Sequence, residues 1–343
     1  MESERPVDRA GEHRARLASL RSLLDRRGEA AALLKTRRNF AWLTAGGTGH
    51  VLQSMEASIA AILVTRADIV VITQNIEARR LSEEELEGLG VEVVSVPWWE
   101  PGAIEAEALR RLAAGVRPVG DADLEPDLSP IRSVLSVIDR ERLADLGRIA
   151  HDAMEAALVT IRPGTTEDEL VATLSGGLPG VRVPVVLAAA DGRVARYRHP
   201  LPGKTPIRTR VMLVLVAERW GLHVALTRIR ELEAPTADLA RRIEAVRTVQ
   251  SAMHAATRPG ATFGDVFAAA RSAYADTGFP DEWRDHHQGG SIGYQPRERI
   301  AIPGDPTTIE VGMAFAWNPS IAGAKAEDTI VLTDGAARTV TAG

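Results

Sequence analysis

Two stretches, TIRPGTTEDELVATL at residues 160–174 and ATRPGATFGDVFAAA at residues 256–270, follow one plan. Each reads Arg-Pro-Gly, then threonine two residues later, then apolar residues at helical spacing. Pro-Gly marks a turn, because proline fixes φ and glycine accepts backbone that other residues avoid. A long helical pattern precedes the turn in both cases. The repeat is read as a duplicated helix–turn–helix–strands unit with pseudo-twofold symmetry, and such a domain would hold its site between the two halves. Apolar strand patterns follow each copy: VRVPVVLAAA (181–190) and RVMLVLVAE (210–218) after the first, GMAFAWNP (312–319) and DTIVLT (328–333) after the second. Helices packed on a curved antiparallel sheet are the expected result.

Working outward, residues 130–160 carry a long amphipathic helix pattern through Val134, Val137, Ile138, Leu143, Leu146, Ile149 and Met154. Upstream, residues 12–28 read as a helix closed by Gly28, with Leu17, Leu20, Leu23 and Leu24 on one face. AAALL, SIAAILVT, DIVVIT and VEVVSV read as strands, and SEEELEGL as a helix begun by its serine. This gives an α+β chain: a small α/β domain over residues 1–128 and a pseudo-symmetric α+β domain over residues 129–343.

The chain has 343 residues, enough for two domains, and its 45% hydrophobic and 25% charged content is that of a folded globular protein. A net charge of −5 gives no broad basic surface, so no nucleic-acid partner is expected. The absence of cysteine excludes disulfides, thiolate catalysis and Cys-based zinc sites. The charged MESERPVDRAGEHRARL start has no apolar core, and no apolar run is long enough to span a membrane. The expectation is a cytoplasmic protein with no membrane partner.

Several motifs taken together carry a resemblance: IRPGTTEDEL, YRHP, GLHVALTR, HHQGGSIGY, VGMAFAWNP and AEDTIVLTDG, with RRNFAWLTAGG near the N-terminus. In order and spacing the chain resembles the creatinase, aminopeptidase P and methionine aminopeptidase family, of pita-bread fold, over nearly its whole length. The resemblance implies a homodimer and a site that in the metallopeptidases uses two aspartates eleven residues apart, a histidine and two glutamates to hold two metal ions. Carried onto this sequence, the aspartates fall at Val214 and Ala225, the histidine at Gly290 and the first glutamate at Asn318; the last is retained as Glu327. Val, Ala and Gly offer no side-chain donor, and divalent ions need several oxygen or nitrogen ligands. The expected cofactor content is therefore none, with no metal site.

The polar groups left around that position are the candidate site. His199 in YRHP matches a substrate-side histidine of the metallopeptidases. His286 and His287 precede the glycine-rich turn. Imidazole titrates near neutral pH and suits acid–base work, so His199, His286, His287 and Glu327 are the catalytic candidates, with Glu327 expected to raise an imidazole pKa and fix its tautomer. Tyr294, Arg297, Asn318, Arg198 and Thr227 are substrate-binding candidates, Arg297 as a fork for a carboxylate. Creatinase, a member that works without metal, also carries alanine at the position of Ala225; Thr227 and Glu327 depart from its pattern, which argues against creatine. Because the family's N-terminal domain leans over a partner's site, Arg37, Arg38 and Asn39 mark where a partner contact could begin; surface charges ahead of a strand are the alternative.

The resulting expectation is a metal-independent enzyme on a small amide, guanidine or amino-acid-like substrate, by C–N hydrolysis or by elimination or cyclisation. The alternatives are a non-catalytic peptide- or protein-binding descendant and a metallo-aminopeptidase with unusual ligands.

Overall fold

The computed structural model describes residues 8–334 and 336–342. Residues 1–7 of the charged N-terminal stretch and Gly335 of AEDTIVLTDG lie outside the described residues. The chain divides into two compact units, Met1–Arg132 and Ser133–Gly343.

In the first unit the helix Arg9–Arg27 ends at Gly28, whose positive φ of 70° lets its N–H turn back to the Asp25 and Leu24 carbonyls. The strands Ala31–Thr36, Ala57–Thr65, Ile69–Gln74 and Glu92–Val96 form, joined by Val119–Gly120 in a five-stranded sheet. Its inner pairings are antiparallel and both edge pairings parallel. Ala31, Leu33, Ala61, Leu63, Val70 and Ile72 belong to its core.

Three local readings are corrected here. SEEELEGL does not begin a helix at its serine: helix Ala78–Arg80 runs directly into a wider helical turn at Leu81–Glu85, so Ser82 is internal rather than a cap. RRNFAW leads into no strand, because Arg37–Leu43 is a helix. Asn39 is fully buried, donating through Nδ2 to Asp121 Oδ1 at 2.8 Å and accepting from Arg132 Nη1 at 2.7 Å, so it is an internal strut of the unit. The pattern over 130–160 is likewise two helices, Asp121–Ser133 and Val137–Val159. Ser136 breaks it: in extended backbone, its hydroxyl accepts from Asp139 N–H and caps the second helix.

In the second unit the duplicated plan is realised contact for contact. Gly164 and Gly260 both take positive φ, 92° and 82°. Thr166 and Thr262 cap the helices Glu167–Gly176 and Phe263–Asp276, each with a reciprocal carboxylate, Glu169 and Asp265. The chain after each cap is held by the same backbone pairings: Glu167 N–H to Thr205 O at 3.1 Å matches Phe263 N–H to Thr307 O at 3.0 Å, and Ile207 N–H to Thr165 O at 2.9 Å matches Ile309 N–H to Ala261 O at 2.8 Å. The first half supplies a three-stranded antiparallel sheet, Arg182–Ala190, Arg210–Arg219 and Leu222–Glu231. The second supplies a five-stranded one, ordered Arg299–Ile300, Gly289–Ile292, Ala314–Trp317, Asp328–Thr333, Ala336–Thr339. Behind the second sheet, Val249, Met253, Phe263, Phe315 and Trp317 are buried together, each large side chain contributing about 1.5–3 kcal/mol.

The two sheets are stitched where Thr227 N–H donates to Glu327 O at 3.0 Å and Ala225 N–H donates to Thr329 Oγ1 at 2.8 Å. That seam places the site.

Candidate functional site

Glu327 sits at the seam with its carboxylate buried. Oε1 accepts from Arg297 Nη2 at 2.9 Å. Oε2 accepts from Thr227 Oγ1 at 2.8 Å and lies 2.8 Å from Lys325 Nζ. Burial pushes the carboxyl pKa up, but the charges of Lys325 and Arg297 outweigh it and hold the group near 2. The carboxylate is ionised at neutral pH and both its oxygens are engaged.

The neighbouring positions are apolar or closed. Val214, opposite Thr227, and Ala225, opposite Val216, are buried in the three-stranded sheet. At Gly290 a Cβ would lie 1.9 Å from the Arg299 carbonyl oxygen, so a side chain fits only if the strand Arg299–Ile300 moves. Asn318 follows the strand Ala314–Trp317 and, one step beyond the Trp317–Asp328 pair, falls opposite Glu327. Its backbone N–H donates to Gln288 O at 3.1 Å, and its buried Oδ1 has no donor among the described residues.

The three histidines converge. His199 follows the short helix Arg193–Arg196, while His286 and His287 follow the turn Glu282–Asp285. One ring nitrogen from each lies within 4.8 Å of the others. His286 Nε2 is 3.1 Å from His199 Nε2, and His286 Nδ1 is 3.3 Å from Ser320 Oγ. Ser320 Oγ accepts from Arg198 Nη1 at 3.3 Å and, with a second lone pair and its own proton, serves His286 Nδ1 as acceptor or donor according to the tautomer. His287 Nδ1 accepts from Gly289 N–H at 3.3 Å, so the His287 proton is on Nε2. His286 is buried, His287 half-buried and His199 exposed, which makes His199 the open end of the cluster.

Burial is the largest cause lowering each imidazole pKa. Lys325 adds to it most at His199 and His286, and Arg297 at His287. His286 falls to about 3 and His287 to about 4. The expectation that Glu327 raises an imidazole pKa is thus corrected. Glu327 does pull upward, but burial and two cations pull harder, and the rings are neutral near pH 7.

The substrate-binding candidates divide. Thr227 and Arg297 hold Glu327, and Arg297 Nη1 also donates to Pro296 O at 2.7 Å, so the guanidinium fork is engaged within the protein. Arg198 is tied to Glu282 Oε2 at 2.6 Å and Asp285 Oδ2 at 3.4 Å as well as Ser320. Tyr294 is buried and its hydroxyl donates to Asp139 Oδ1 at 2.8 Å in the first turn of helix Val137–Val159, a core position.

Two site residues escaped the sequence reading, Lys325 and Ser320. Lys325 had a signal: among 41 basic residues the chain has only three lysines, and one stands two residues before Glu327. A lysine kept where arginine is otherwise used marks a need for a compact point charge.

Residues 141–334 match the sequence profile of metallopeptidase family M24. This chain belongs to metallopeptidase family M24. Among its relatives by sequence, a probable dipeptidase PepE of Mycobacterium tuberculosis is 26% identical over 248 residues, which is 66% of this chain and 63% of the relative's length. An agropine synthesis cyclase of Rhizobium rhizogenes is 34% identical over 104 residues, 29% of this chain and 26% of that protein. The crystal structure of dipeptidase PepE from Mycobacterium ulcerans superposes with a TM-score of 0.79 at 22% identity, covering 97% of this chain and 96% of that one, which establishes the shared M24 fold. Among the described residues, no helix is long and apolar enough to cross a membrane.

Proposed function

We propose that this M24 chain is a metal-independent hydrolase of a small amide-, guanidine- or amino-acid-like substrate, with His199 moving the protons. The observation that carries the reading is the enclosure of Glu327. It is the one carboxylate at the five positions where the family resemblance puts metal ligands, and Lys325, Arg297 and Thr227 occupy both its oxygens. Val214, Ala225 and Gly290 offer no donor, and one amide at Asn318 does not make up the set.

The chemistry falls to imidazole. The proton between the two Nε2 atoms sets the role of His199. With that proton on His199, His286 carries its own on Nδ1 and Ser320 Oγ accepts it; His199 Nδ1 then takes a proton from water as the water attacks the carbonyl or guanidinium carbon, and the imidazolium so formed gives that proton to the departing nitrogen. His286 and Ser320 are positioning residues in this scheme, because they act through His199. An internal nucleophile in place of water would give cyclisation, and one matched relative is named for a cyclase.

A second reading, a metal-dependent dipeptidase, draws on the names of the PepE relatives. One experiment separates the two: metal content of protein purified without chelator, with turnover of a dipeptide, amide and guanidine panel measured with EDTA and with Mn²⁺. We expect no stoichiometric metal, turnover indifferent to EDTA, and a loss of about 10²–10⁴-fold in kcat for His199→Ala. Activity abolished by EDTA and restored by Mn²⁺ selects the second reading. A peptide that binds tightly without turnover of any substrate selects a binding protein instead. The proposal includes a homodimer, on the family resemblance, and a cytoplasmic location, on the charged N-terminal stretch; a monomer mass by light scattering at micromolar concentration argues against the dimer.

A further inference from the structure

We propose that the place where the M24 resemblance puts metal ions is, in this chain, an anion site. Lys325 Nζ and His287 Nε2–H there receive the carboxylate of an amino-acid-like substrate. The inference rests on the metal-independent reading above and names the substrate class for the same site.

The donors and acceptors of the pocket do not balance. Glu327 has no oxygen to spare, since Oε1 holds Arg297 and Oε2 holds Thr227 and Lys325. Lys325 has three N–H groups, a side chain only 5% exposed, and Glu327 as its one partner among the described residues. On His287, Nδ1 is filled by the Gly289 N–H, and the Nε2–H has no partner among the described residues. Around Glu327 what remains is these donors, and they are complementary to a group that only accepts, while the Asn318 Oδ1 is the acceptor left over.

The charges say the same. Among the described residues Lys325 and Arg297 are ion-paired with Glu327 alone, leaving one positive charge in excess, and Lys325 acts electrostatically on all three histidines. A carboxylate neutralises the group. A divalent ion on the three imidazoles, whose spacing alone would admit one, would instead raise the excess to three. It would also require the His287 proton to move to Nδ1, which already faces the Gly289 N–H.

Asn318 adds the second half of the ligand. Its Oδ1 is buried without a donor among the described residues and Asn318 stands opposite Glu327 in the strand register, so it is suited to an N–H of the substrate close to the carboxylate. An α-amino acid derivative carries both groups at that separation. His199, at the exposed end, is then beside the bond to be changed.

The test is calorimetric titration of the full chain with N-acetylglycine and with N-acetylglycinamide, which differ only in the carboxylate. The acid is expected to bind at least about tenfold more tightly, the worth of one charge-assisted hydrogen bond. Lys325→Gln should remove that preference, and Lys325→Arg should keep most of it. If Lys325→Gln does not fold, as judged by circular dichroism, His287→Ala supplies the second variant and should lower affinity for the acid by more than for the amide, narrowing the preference. Equal affinity for acid and amide overturns the proposal, as does full affinity in both variants. So does one-to-one Zn²⁺ binding that His287→Ala abolishes. A chain that is free of metal and indifferent to EDTA yet ignores the carboxylate refutes the anion site alone. A metal-loaded chain refutes the metal-independent reading, and the stripped protein then tests the anion site separately.

Discussion

The two sheets that meet at Thr227 and Glu327 are products of one duplicated plan, yet they equip the site in opposite ways. The three-stranded sheet brings Val214 and Ala225, apolar and buried. The five-stranded sheet and its loops bring Glu327, Lys325, Arg297, Asn318 and two of the three histidines. The halves have therefore kept a common scaffold while dividing the chemistry unequally. The repeated turns, caps and backbone pairings are symmetric because any sequence using this scaffold must satisfy the same backbone groups. The side chains at the seam carry no such obligation, and the charge has gathered on one side.

The comparison can be broken first at its charged side. Glu327→Ala leaves Lys325 and Arg297 without their shared partner, and breaking a buried pair by removing one member costs about 3–5 kcal/mol. Urea unfolding should show a loss of that order. A loss below about 1 kcal/mol would mean that the two cations find water and that the seam is not a closed charge cluster.

Acid should act on the same side. His286, with its pKa depressed from 6.5 to about 3, stays neutral in the folded chain over a range where the unfolded chain takes up a proton. Stability is therefore nearly full above pH 6.5 and falls as pH drops toward 3, by roughly 3 kcal/mol at pH 4.5 from this ring alone. Glu327, depressed from 4.5 to about 2, adds to the decline in the lower part of the range. The groups facing His286 are His199, His287, Lys325 and Glu327. His286→Asn should flatten the pH dependence of the urea midpoint between 6.5 and 4.5; an unchanged slope would place the acid sensitivity elsewhere.

The smallest effect sharpens the symmetric part. Thr166→Ala and Thr262→Ala each remove a cap from one copy of the turn, at about 1 kcal/mol apiece. If the two turns are equivalent, their unfolding losses agree within about 0.5 kcal/mol and the double variant is additive, as expected for well-separated sites. A cost confined to one half would show that the two copies contribute unequally.

The sequence by itself determined the scaffold. Arg-Pro-Gly with threonine two residues on is a local instruction: φ limits on proline and glycine and the adjacent threonine act within a few residues, whatever packs around them. The central strands of the first unit and Gly28 at a helix end were legible for the same reason. Short range also explains the misreadings. The serine of SEEELEGL matched a cap signature, but the helix had already begun at Ala78, and the pattern over 130–160 hid the break at Ser136. That Val214, Ala225 and Gly290 offer no side-chain donor was legible too, because Val, Ala and Gly lack donor atoms in any conformation. Only the tertiary structure decided what stands in their place. That Glu327 is enclosed by Lys325, Arg297 and Thr227, that Tyr294 serves the core through Asp139, and that three imidazoles are neutral all depend on groups distant in sequence sharing one poorly hydrated volume. Charge and hydrogen-bond energies follow distance and burial, and neither is written in the order of residues along the chain.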